Sequence, residues 1–325
     1  MNVIKRDGTA EPLNLDKIHQ MVEFACEDIT GVSSSQVEMN SGLQFFDGIE
    51  SEQIQNILIK SASDLISLDS PNYQFVAARL LLFSVRKQVF PEWSNTGYPK
   101  LKDHVKTCAE AGVYDGGILK KYDDEEWEEL NSYIDHQRCY GFTYAGLRQI
   151  VDKYLVQDRS TGRVYETPQY MYIMVATTLF QDYPKDKRLD YVKRYYTATS
   201  KGKINVPTPV LAGVRTPLRQ FASCVLVDVD DTLDSIFTSD MAIGRYVAQR
   251  AGIGINAGRI RGINSKIRGG EVQHTGVVPF LKKFEATVRC CTQNGIRGGS
   301  ATVHFLSLIH ISEPTRLGMI SYAVF

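Results

Sequence analysis

Two stretches near the carboxyl end of the chain decide its fold: Ala222-Ser223-Cys224-Val225-Leu226-Val227 and Gly252-Ile253-Gly254-Ile255. Both are short and apolar, and each predicts a strand. The first is apolar apart from Ser223, which predicts a strand covered on both faces. Residues 241–250 between them predict a helix. The order strand, helix, strand is the beginning of an α/β layer or barrel.

The glycines of the second stretch also fit a different motif. Gly252, Gly254 and Ala257 satisfy the G-x-G-x-x-G/A fingerprint of dinucleotide-binding folds. In those folds a strand leads into the glycines and a helix follows them. Here the segment ahead of the glycines is the predicted helix. We therefore reject dinucleotide binding for this segment.

The sequence before residue 207 predicts two further domains. Residues 1–90 combine a D-G turn at Asp7-Gly8, typical of a hairpin, with four amphipathic helices. Residues suited to begin these helices stand at Asn14, Ser35, Ser51 and Asn72. Residues 91–206 continue as a helical domain. The expected fold class is thus α/β overall, with the α/β layer or barrel beginning in 207–305.

Three local features mark the helical domain. Tyr170–Phe180 is strongly apolar and predicts a buried helix. Thr161-Gly162, between two valine-containing segments, predicts one hairpin that interrupts the helices. Asp123–Glu129 is acidic and predicts a solvated stretch.

Composition excludes several classes of protein. Lys plus Arg and Asp plus Glu number 37 each, so no net charge attracts the chain to nucleic acid or to an anionic membrane. No stretch approaches the roughly 18 consecutive apolar residues that cross a bilayer, and the amino terminus lacks the shape of a signal peptide. The six cysteines lack the spacing of a zinc site or a disulfide scaffold. We expect a cytoplasmic enzyme with no nucleic-acid or membrane partner.

The amino-terminal motifs resemble the ATP-cone of ribonucleotide reductases. The resemblance rests on Lys5-Arg6-Asp7-Gly8, Asn14-Leu15-Asp16-Lys17-Ile18 and Ala77-Ala78-Arg79-Leu80. Charges beside a helix start are by themselves more typical of a solvated face, whereas the resemblance implies a site for ATP or dATP that sets overall activity. The matching positions are Lys5, Glu11, Pro12, Leu13, Asn14, Leu15, Asp16, Lys17, Ser51 and Lys87. Gln55 and Ser84 stand where we expect histidines in well-regulated relatives, which leaves inhibition by dATP open.

Residues 219–226 resemble the first strand of the ten-stranded α/β barrel of the class I large subunit in the same family. A cysteine in an apolar strand is more often an inert small hydrophobe. The resemblance implies instead that Cys224 is one of two cysteines that reduce the ribose and become a disulfide. It also implies that Thr208, Ser223 and Gly252 hold the substrate. In the family a thiyl radical on a further cysteine starts the reaction.

Two later segments resemble the effector-binding region of this family. From the match over Ala251–Arg261 and its surroundings, the nucleotide that selects the substrate is expected at Asp231, Thr232, Leu233, Arg261 and Arg268. The two arginines suit phosphates. Gln293 and Arg297 lie in a glycine-rich run that resembles a flexible loop linking effector to substrate. Cys290 and Cys291 are adjacent and make poor disulfide partners, so they do not supply the second redox cysteine.

The resemblance covers about residues 1–305 and implies a complete enzyme. It implies radical-based reduction of ribonucleoside diphosphates to deoxyribonucleoside diphosphates, with ATP, dATP and other dNTPs as allosteric effectors. It further implies an α homodimer, a small radical-bearing β subunit, electrons from thioredoxin or glutaredoxin, and no metal in this subunit.

Residues 306–325 resemble the translation of a transposon-derived sequencing adapter, so we expect them not to be native. The chain would then stop before the thiyl-radical cysteine and would be inactive by itself. Two alternatives stay open. One is a nucleotide-binding regulatory protein without catalysis, and the other is a cobalamin-dependent reductase.

Overall fold

The computed structural model describes residues 1–6, 8–42, 45–92, 97–291, 299–306 and 322–324. Asp7 of the predicted turn and the loop residues Gln293 and Arg297 lie outside the described residues. The chain divides into two compact units, Met1–Arg219 and Gln220–Phe325. Among the described residues, no helix combines the length and apolar character needed to cross a lipid bilayer.

The first unit opens with a small sheet and four helices. Strands β1 (Asn2–Ile4), β2 (Ala10–Pro12) and β3 (Ile49–Glu50) form a sheet in the order β2-β1-β3. β1 runs antiparallel to β2 and parallel to β3, so the predicted hairpin is present. The helices are α1 (Leu15–Cys26), α2 (Ser34–Gly42), α3 (Ser51–Asp64) and α4 (Tyr73–Val89).

The predicted helix starts are confirmed at two positions and displaced at two. Asn14 caps α1, because its Oδ1 accepts a hydrogen bond from the backbone N–H of Lys17 at 3.1 Å. Asn72 is the cap position of α4. Ser51 is the first helical residue of α3 and not its cap, because the side chain of the third helical residue reaches back to the N–H of Glu50 at 3.1 Å. Ser35 lies inside α2.

The rest of the first unit is helical around one hairpin. Its helices are α5 (Leu101–Glu110), α6 (Asp124–Ser132), α7 (Tyr144–Gln149), α8 (Pro168–Leu179), α9 (Lys185–Ser200) and α10 (Thr208–Gly213). Short 3-10 helices occur at Gly116–Lys120 and His136–Gly141, and a π-helical segment at Ile150–Tyr154. The hairpin predicted at Thr161-Gly162 is present as antiparallel strands β4 (Gln157–Asp158) and β5 (Arg163–Val164).

Burial in this unit confirms one expectation and corrects another. Every side chain from Pro168 to Thr177 of α8 is buried, as the apolar run predicts. The acidic stretch is not solvated throughout, because it forms the amphipathic helix α6. The inner face of α6 carries Glu126, Trp127 and Leu130. The buried carboxylate of Glu126 accepts a hydrogen bond from Arg188 Nε at 2.7 Å.

The second unit is an open sheet with helices on one side. Strands β6 (Cys224–Asp228), β7 (Gly252–Asn256), β10 (Ala301–His304) and β11 (Tyr322–Val324) lie in the order β11-β10-β7-β6. The first three pair in parallel, and β11 is antiparallel to β10. The helices are α11 (Leu233–Ala248) and α12 (Val278–Cys291), with a hairpin of β8 (Lys266–Ile267) and β9 (Val272–Gln273) before α12. The predicted order strand, helix, strand is confirmed.

The two faces of this sheet differ in burial. Val225 and Val227 of β6 pack against the core that contains Ile253 and Ile255 of β7. Leu226, between the two valines, is 88% exposed. The expectation that β6 is covered on both faces is therefore wrong for this chain, because α11 and α12 supply core to one face alone.

Candidate functional site

Residues 11–17 line one open cleft where β2 turns into α1. The cleft has a volume of about 570 Å³, and its lining consists of Glu11, Pro12, Leu13, Asn14, Leu15, Asp16 and Lys17. The capping bond of Asn14 forms the turn from strand to helix within this stretch. The cleft therefore coincides with the seven consecutive residues at which the sequence predicts a nucleotide.

Cationic side chains gather beside this cleft. Lys5 Nζ lies 2.8 Å from Glu11 Oε1, and Lys17 Nζ lies 3.7 Å from the same oxygen. The hydrogen bond from Lys5 lowers the pKa of Glu11. Partial burial, followed by the charges of Arg6, Lys5 and Lys17, lowers the pKa of Lys87. Cations whose charges disfavour one another in this way favour an anionic ligand.

Strand pairing brings Ser51 to the same end of the sheet as Lys5. Ile4 of β1 pairs with Glu50 of β3 in parallel, so the residues that follow them leave the sheet together. Gln55, where a histidine was expected, is buried and donates from Nε2 to the carbonyl oxygen of Leu80 at 2.9 Å. Gln55 thus joins α3 to α4.

A second cavity, of about 610 Å³, was not singled out from the sequence. Its lining is mostly apolar and consists of Lys17, Gln20, Met21, Phe24, Phe83, Arg86, Lys87, Phe90 and Pro91. It shares Lys17 with the first cleft. The guanidinium of Arg86 lies 5.6 Å from the ring centre of Phe83 and 5.9 Å from that of Tyr140. The only sequence signal was two phenylalanines on neighbouring helices, which is also typical of an ordinary core.

The predicted redox cysteine lies on the open face of the second unit. The parallel register places Cys224 of β6 opposite Gly252 of β7. The N–H of Gly252 donates to the carbonyl oxygen of Ser223 at 3.0 Å. Cys224 is exposed, and side chains two and four residues further along β6 share its face. A glycine opposite the thiol leaves backbone that a ligand can approach closely.

Gly254, the next glycine on β7, lies under the exposed side chain of Leu226. A Cβ at this position would stand 2.6 Å from Cδ2 of Leu226, which lies across it. The two glycines that resemble a dinucleotide fingerprint are therefore strand residues, and helix α11 precedes them. This order, helix before glycines, is the one predicted from the sequence and differs from that of dinucleotide-binding folds.

Thr208, predicted to hold the substrate, is the first residue of α10 in the first unit. The chain after α10 is anchored by Arg215, which is fully buried with Glu166. Arg215 Nε donates to Glu166 Oε2 at 2.8 Å, and its Nη2 donates to the carbonyl oxygen of Tyr154 at 3.0 Å. The hydroxyl of Tyr114 also donates to Glu166. Sequence analysis missed this pair, because its members are far apart in the chain and no local motif contains both.

Four of the five predicted effector residues, all except Arg268, lie together at the start of α11. Asp231 accepts hydrogen bonds from the backbone N–H of Arg261 at 2.9 Å and from its Nε at 2.7 Å. Thr232 caps α11 by accepting from the N–H of Ser235 at 3.1 Å. Leu233 follows it and is exposed. Arg268 is exposed at the turn between β8 and β9 with φ of 50°, away from this cluster in the chain.

A second charged cluster adjoins the effector residues. Arg259 Nη2 lies 2.8 Å from Asp228 Oδ2, and its Nη1 lies 2.8 Å from Asp230 Oδ1. Asn256 Nδ2 donates to the other oxygen of Asp228 at 2.8 Å. The hydrogen bond to Asp230, with the charge of Asp228, raises the pKa of Arg259. These contacts join the carboxyl ends of β6 and β7. Sequence analysis did not single out Arg259.

Three family models match successive parts of the chain. The ATP cone domain matches residues 1–88, and the all-alpha domain of ribonucleotide reductase matches 140–219. The barrel domain of ribonucleotide reductase matches 222–312. The chain belongs to the ribonucleotide reductase family. Its fold is therefore an ATP-cone, an all-alpha domain and the start of the reductase barrel, as the sequence predicted.

Similar proteins are alpha subunits of ribonucleoside-diphosphate reductase. The chain is 52% identical to that of Haemophilus influenzae over 93% of this chain and 40% of the relative. It is 51% identical to the reductase 1 alpha subunit of Escherichia coli over 93% of this chain and 39% of the relative. It is 44% identical to the alpha subunit of Enterobacteria phage T4, over 94% of this chain and 40% of the relative. The chain thus spans about 40% of the length of the curated relatives it matches.

Proposed function

We propose that this chain forms part of the large subunit of a ribonucleoside-diphosphate reductase. In this proposal it binds nucleotide effectors at two sites and contributes Cys224 to the reduction of the ribose. The observation that carries the proposal is the pairing of β6 with β7, which sets an exposed cysteine opposite a glycine on an open sheet face. Membership of the reductase family supports the same assignment.

Cys224 would supply reducing equivalents to the substrate. The ribose loses its 2′-hydroxyl as water, and Cys224 and a second cysteine are oxidised together to a disulfide. Two thiols thus provide the two electrons and two protons that the reduction consumes. Thr208, Ser223 and Gly252 would hold the ribonucleoside diphosphate. Thioredoxin or glutaredoxin would reduce the disulfide for the next turnover.

The cleft at residues 11–17 would hold ATP or dATP as the activity effector. Lys5, Lys17 and Lys87 supply positive charge for the phosphates, and Ser51 lies at the same end of the sheet as Lys5. The backbone N–H groups at the start of α1 add partial positive charge. This positive charge supports nucleotide binding. Inhibition by dATP is not part of the proposal, because Gln55 replaces an expected histidine and instead joins α3 to α4.

The cluster at the start of α11 would hold the dNTP that selects the substrate. Asp231, Thr232, Leu233 and Arg261 adjoin one another, and Arg268 would approach from the hairpin turn. Gln293 and Arg297, outside the described residues, would couple this effector to the substrate. The two hydrogen bonds that Asp231 accepts from Arg261, one from the backbone N–H and one from Nε, support the proposal, because they fix the arginine where a phosphate would be bound.

The partners follow from the same proposal. A class I enzyme contains an α homodimer and a small radical-bearing β subunit. Its location is cytoplasmic. One surface supports the homodimer. Leu233, Phe237 and Met241 are exposed on α11 at intervals of four residues, and such a row forms one apolar stripe on a helix.

Calorimetric titration of the 325-residue chain with ATP and with dTTP tests the two effector sites. We expect both nucleotides to bind, with Lys17→Ala weakening ATP alone and Asp231→Ala weakening dTTP alone. Each variant is the matched control for the other. Failure of both nucleotides to bind would remove the support for both sites.

A chimera tests the catalytic assignment. Residues 1–305 are joined to the remaining carboxyl part of the Haemophilus influenzae subunit and assayed for diphosphate reduction with that organism's β subunit. We expect activity that Cys224→Ser abolishes while ATP and dTTP still bind. Nucleotide binding by an inactive chimera would favour the regulatory protein without catalysis.

A further inference from the structure

Helix α12 ends in two adjacent cysteines whose sulfur atoms lie close together. Cys290 Sγ and Cys291 Sγ are 3.7 Å apart. Cys290 is exposed and Cys291 is half-buried. With 3.6 residues per turn, neighbouring side chains of an α-helix point about 100° apart around its axis. Two thiols in sequence therefore meet only when both side chains turn toward each other, as they do here.

Local contacts hold the two sulfurs in this arrangement. Cys290 Sγ donates to the carbonyl oxygen of Thr287 at 3.4 Å. Cys291 Sγ lies 3.2 Å from where a Cβ at Gly244 of α11 would stand. The glycine thus makes room for the Cys291 thiol where α11 packs on α12. Any larger residue at position 244 would press on this thiol.

The sulfur–sulfur distance fits a shared cation better than a disulfide. Zinc binds thiolate sulfur at about 2.3 Å in tetrahedral geometry, which puts two sulfur ligands about 3.8 Å apart. The observed 3.7 Å agrees with this spacing. A disulfide requires a sulfur–sulfur distance of about 2 Å and a dihedral angle near 90°. Adjacent helical residues reach a disulfide only by distorting the backbone.

We propose that Cys290 and Cys291 form a binding site for a thiophilic divalent cation such as zinc. The two thiols lose their protons on binding and no electrons are transferred. The carboxylate of Asp240 on the neighbouring helix accepts from Thr287 Oγ1 at 2.6 Å and is ion-paired with Lys283, so the site depends on the two thiolates alone. The site contains neither Cys224 nor residues 231–233, it ends two residues before Gln293 in the chain, and the proposed reductase function does not require it.

The remaining ligands of the cation come from solvent. No cluster of three or more His, Cys, Asp or Glu side chains suited to a metal occurs in the part of the chain that the structure describes. The cysteine pair therefore supplies two of the four positions of a tetrahedral ion, and water or a small thiol fills the others. Binding of this kind is exchangeable, unlike a structural site with four protein ligands.

Titration of the reduced 325-residue chain with Cd²⁺ tests the site, since cadmium bound by thiolates absorbs in the ultraviolet. We expect one cation per chain with two thiolate ligands, displaced by Zn²⁺. Cys290→Ser and Cys291→Ser should each weaken binding about a hundredfold, because one ligand of a two-ligand grip is lost. Cys224→Ser is the matched control, an exposed cysteine of the same unit, and should leave the affinity unchanged.

A second variant keeps both thiols and changes their geometry. Gly244→Ala places a methyl group against Cys291 Sγ, so we expect weaker cation binding with unchanged helix content in circular dichroism. Unchanged cadmium affinity in the Cys290→Ser, Cys291→Ser double variant would overturn the proposal. Loss of the cadmium signal in Cys224→Ser would overturn it as well, by assigning the cation to the sheet.

Discussion

Asp231 and Arg261 are joined by two hydrogen bonds, one to the backbone N–H at 2.9 Å and one to the side-chain Nε at 2.7 Å. The contact links the start of α11 to the segment that follows β7. Both side chains are about one third exposed, so solvent screens most of their Coulomb attraction. The pair consequently adds little to stability. Its main effect is to fix the orientation of Arg261, because the carboxylate of Asp231 accepts two hydrogen bonds from this one residue.

Asp231→Asn removes the charge and keeps the shape of this side chain. If Arg261 binds the effector phosphates from the orientation that Asp231 sets, we expect the affinity for dTTP to fall roughly tenfold, about 1.4 kcal/mol. The affinity for ATP at the amino-terminal cleft should stay the same. Asp234→Asn, an exposed acid in the first turn of α11, is the control. Equal dTTP affinities for both variants in calorimetry would argue against the assignment.

Lys87→Gln removes one cation from the group beside the amino-terminal cleft. We expect roughly tenfold weaker binding of ATP, and a weaker dependence of that binding on salt concentration, because one screened attraction is lost. Lys60→Gln is the control, since Lys60 is exposed on α3 and pairs with Asp64 at 2.6 Å. Titrations at low and high salt measure both effects. An unchanged salt dependence would place Lys87 outside the phosphate site.

Local signals in the sequence predicted the elements that carry the site. A capping side chain at Asn14, a glycine turn at residue 162 and short apolar runs at β6 and β7 depend on neighbours within a few residues. The resemblance to the ATP-cone grouped residues 11–17, and they line one cleft because consecutive residues at a strand–helix junction necessarily lie together. In those places the interactions that select the structure are local, so a short stretch of sequence is enough to predict it.

Contacts between distant residues could not be predicted in this way. Glu166 and Arg215 bury a charge pair between two loop segments far apart in the chain, and Glu126 turns an acidic stretch inward toward Arg188. Neither pairing leaves a pattern in its own segment. The prediction that β6 is covered on both faces was wrong for a related reason. Whether Leu226 is buried depends on other segments that pack against that face, and not on the sequence of the strand itself.

Arg215→Met should destabilise the first unit severely. The substitution leaves the buried Glu166 carboxylate without its partner, and removing one member of a buried pair costs about 3–5 kcal/mol. Urea denaturation followed by circular dichroism measures the loss. Lys60→Met breaks an exposed pair and should change the free energy of unfolding by less than about 1 kcal/mol. Similar losses in the two variants would contradict the buried role of Arg215.

Cys224 should be among the first cysteines to react with iodoacetamide in the native chain. It is exposed on the open sheet face, whereas Cys108 and Cys139 are buried. Burial raises the pKa of both buried thiols to about 12, which leaves little thiolate. We expect mass spectrometry to show alkylation of Cys224 roughly a hundredfold faster than of the buried pair. Denaturation should make the rates similar, and slow native labelling of Cys224 would mean that its face is covered.

Acid should destabilise the first unit through His104. Burial lowers the pKa of His104 to about 4, from an ordinary value of 6.5. Folding therefore favours the neutral ring, and this contribution is complete above pH 6.5 and is lost as the pH falls from 6.5 to 4. The loss amounts to about 3 kcal/mol over that interval. His136 also has its pKa lowered to about 4, mainly by burial, and adds to the same slope.

His104→Phe isolates this effect, because phenylalanine keeps a ring beside Tyr170, on which His104 stacks at 4.6 Å, and cannot take up a proton. We expect the variant to lose less stability on acidification, by about 1.4 kcal/mol per pH unit between pH 6 and 4.5. His19→Gln is the control with the opposite sign. The hydrogen bond to Glu38 raises the pKa of His19, so its contribution is present at low pH and is lost as the pH rises. Urea denaturation at several pH values measures these slopes, and an unchanged acid slope in His104→Phe would show that this histidine does not titrate on unfolding.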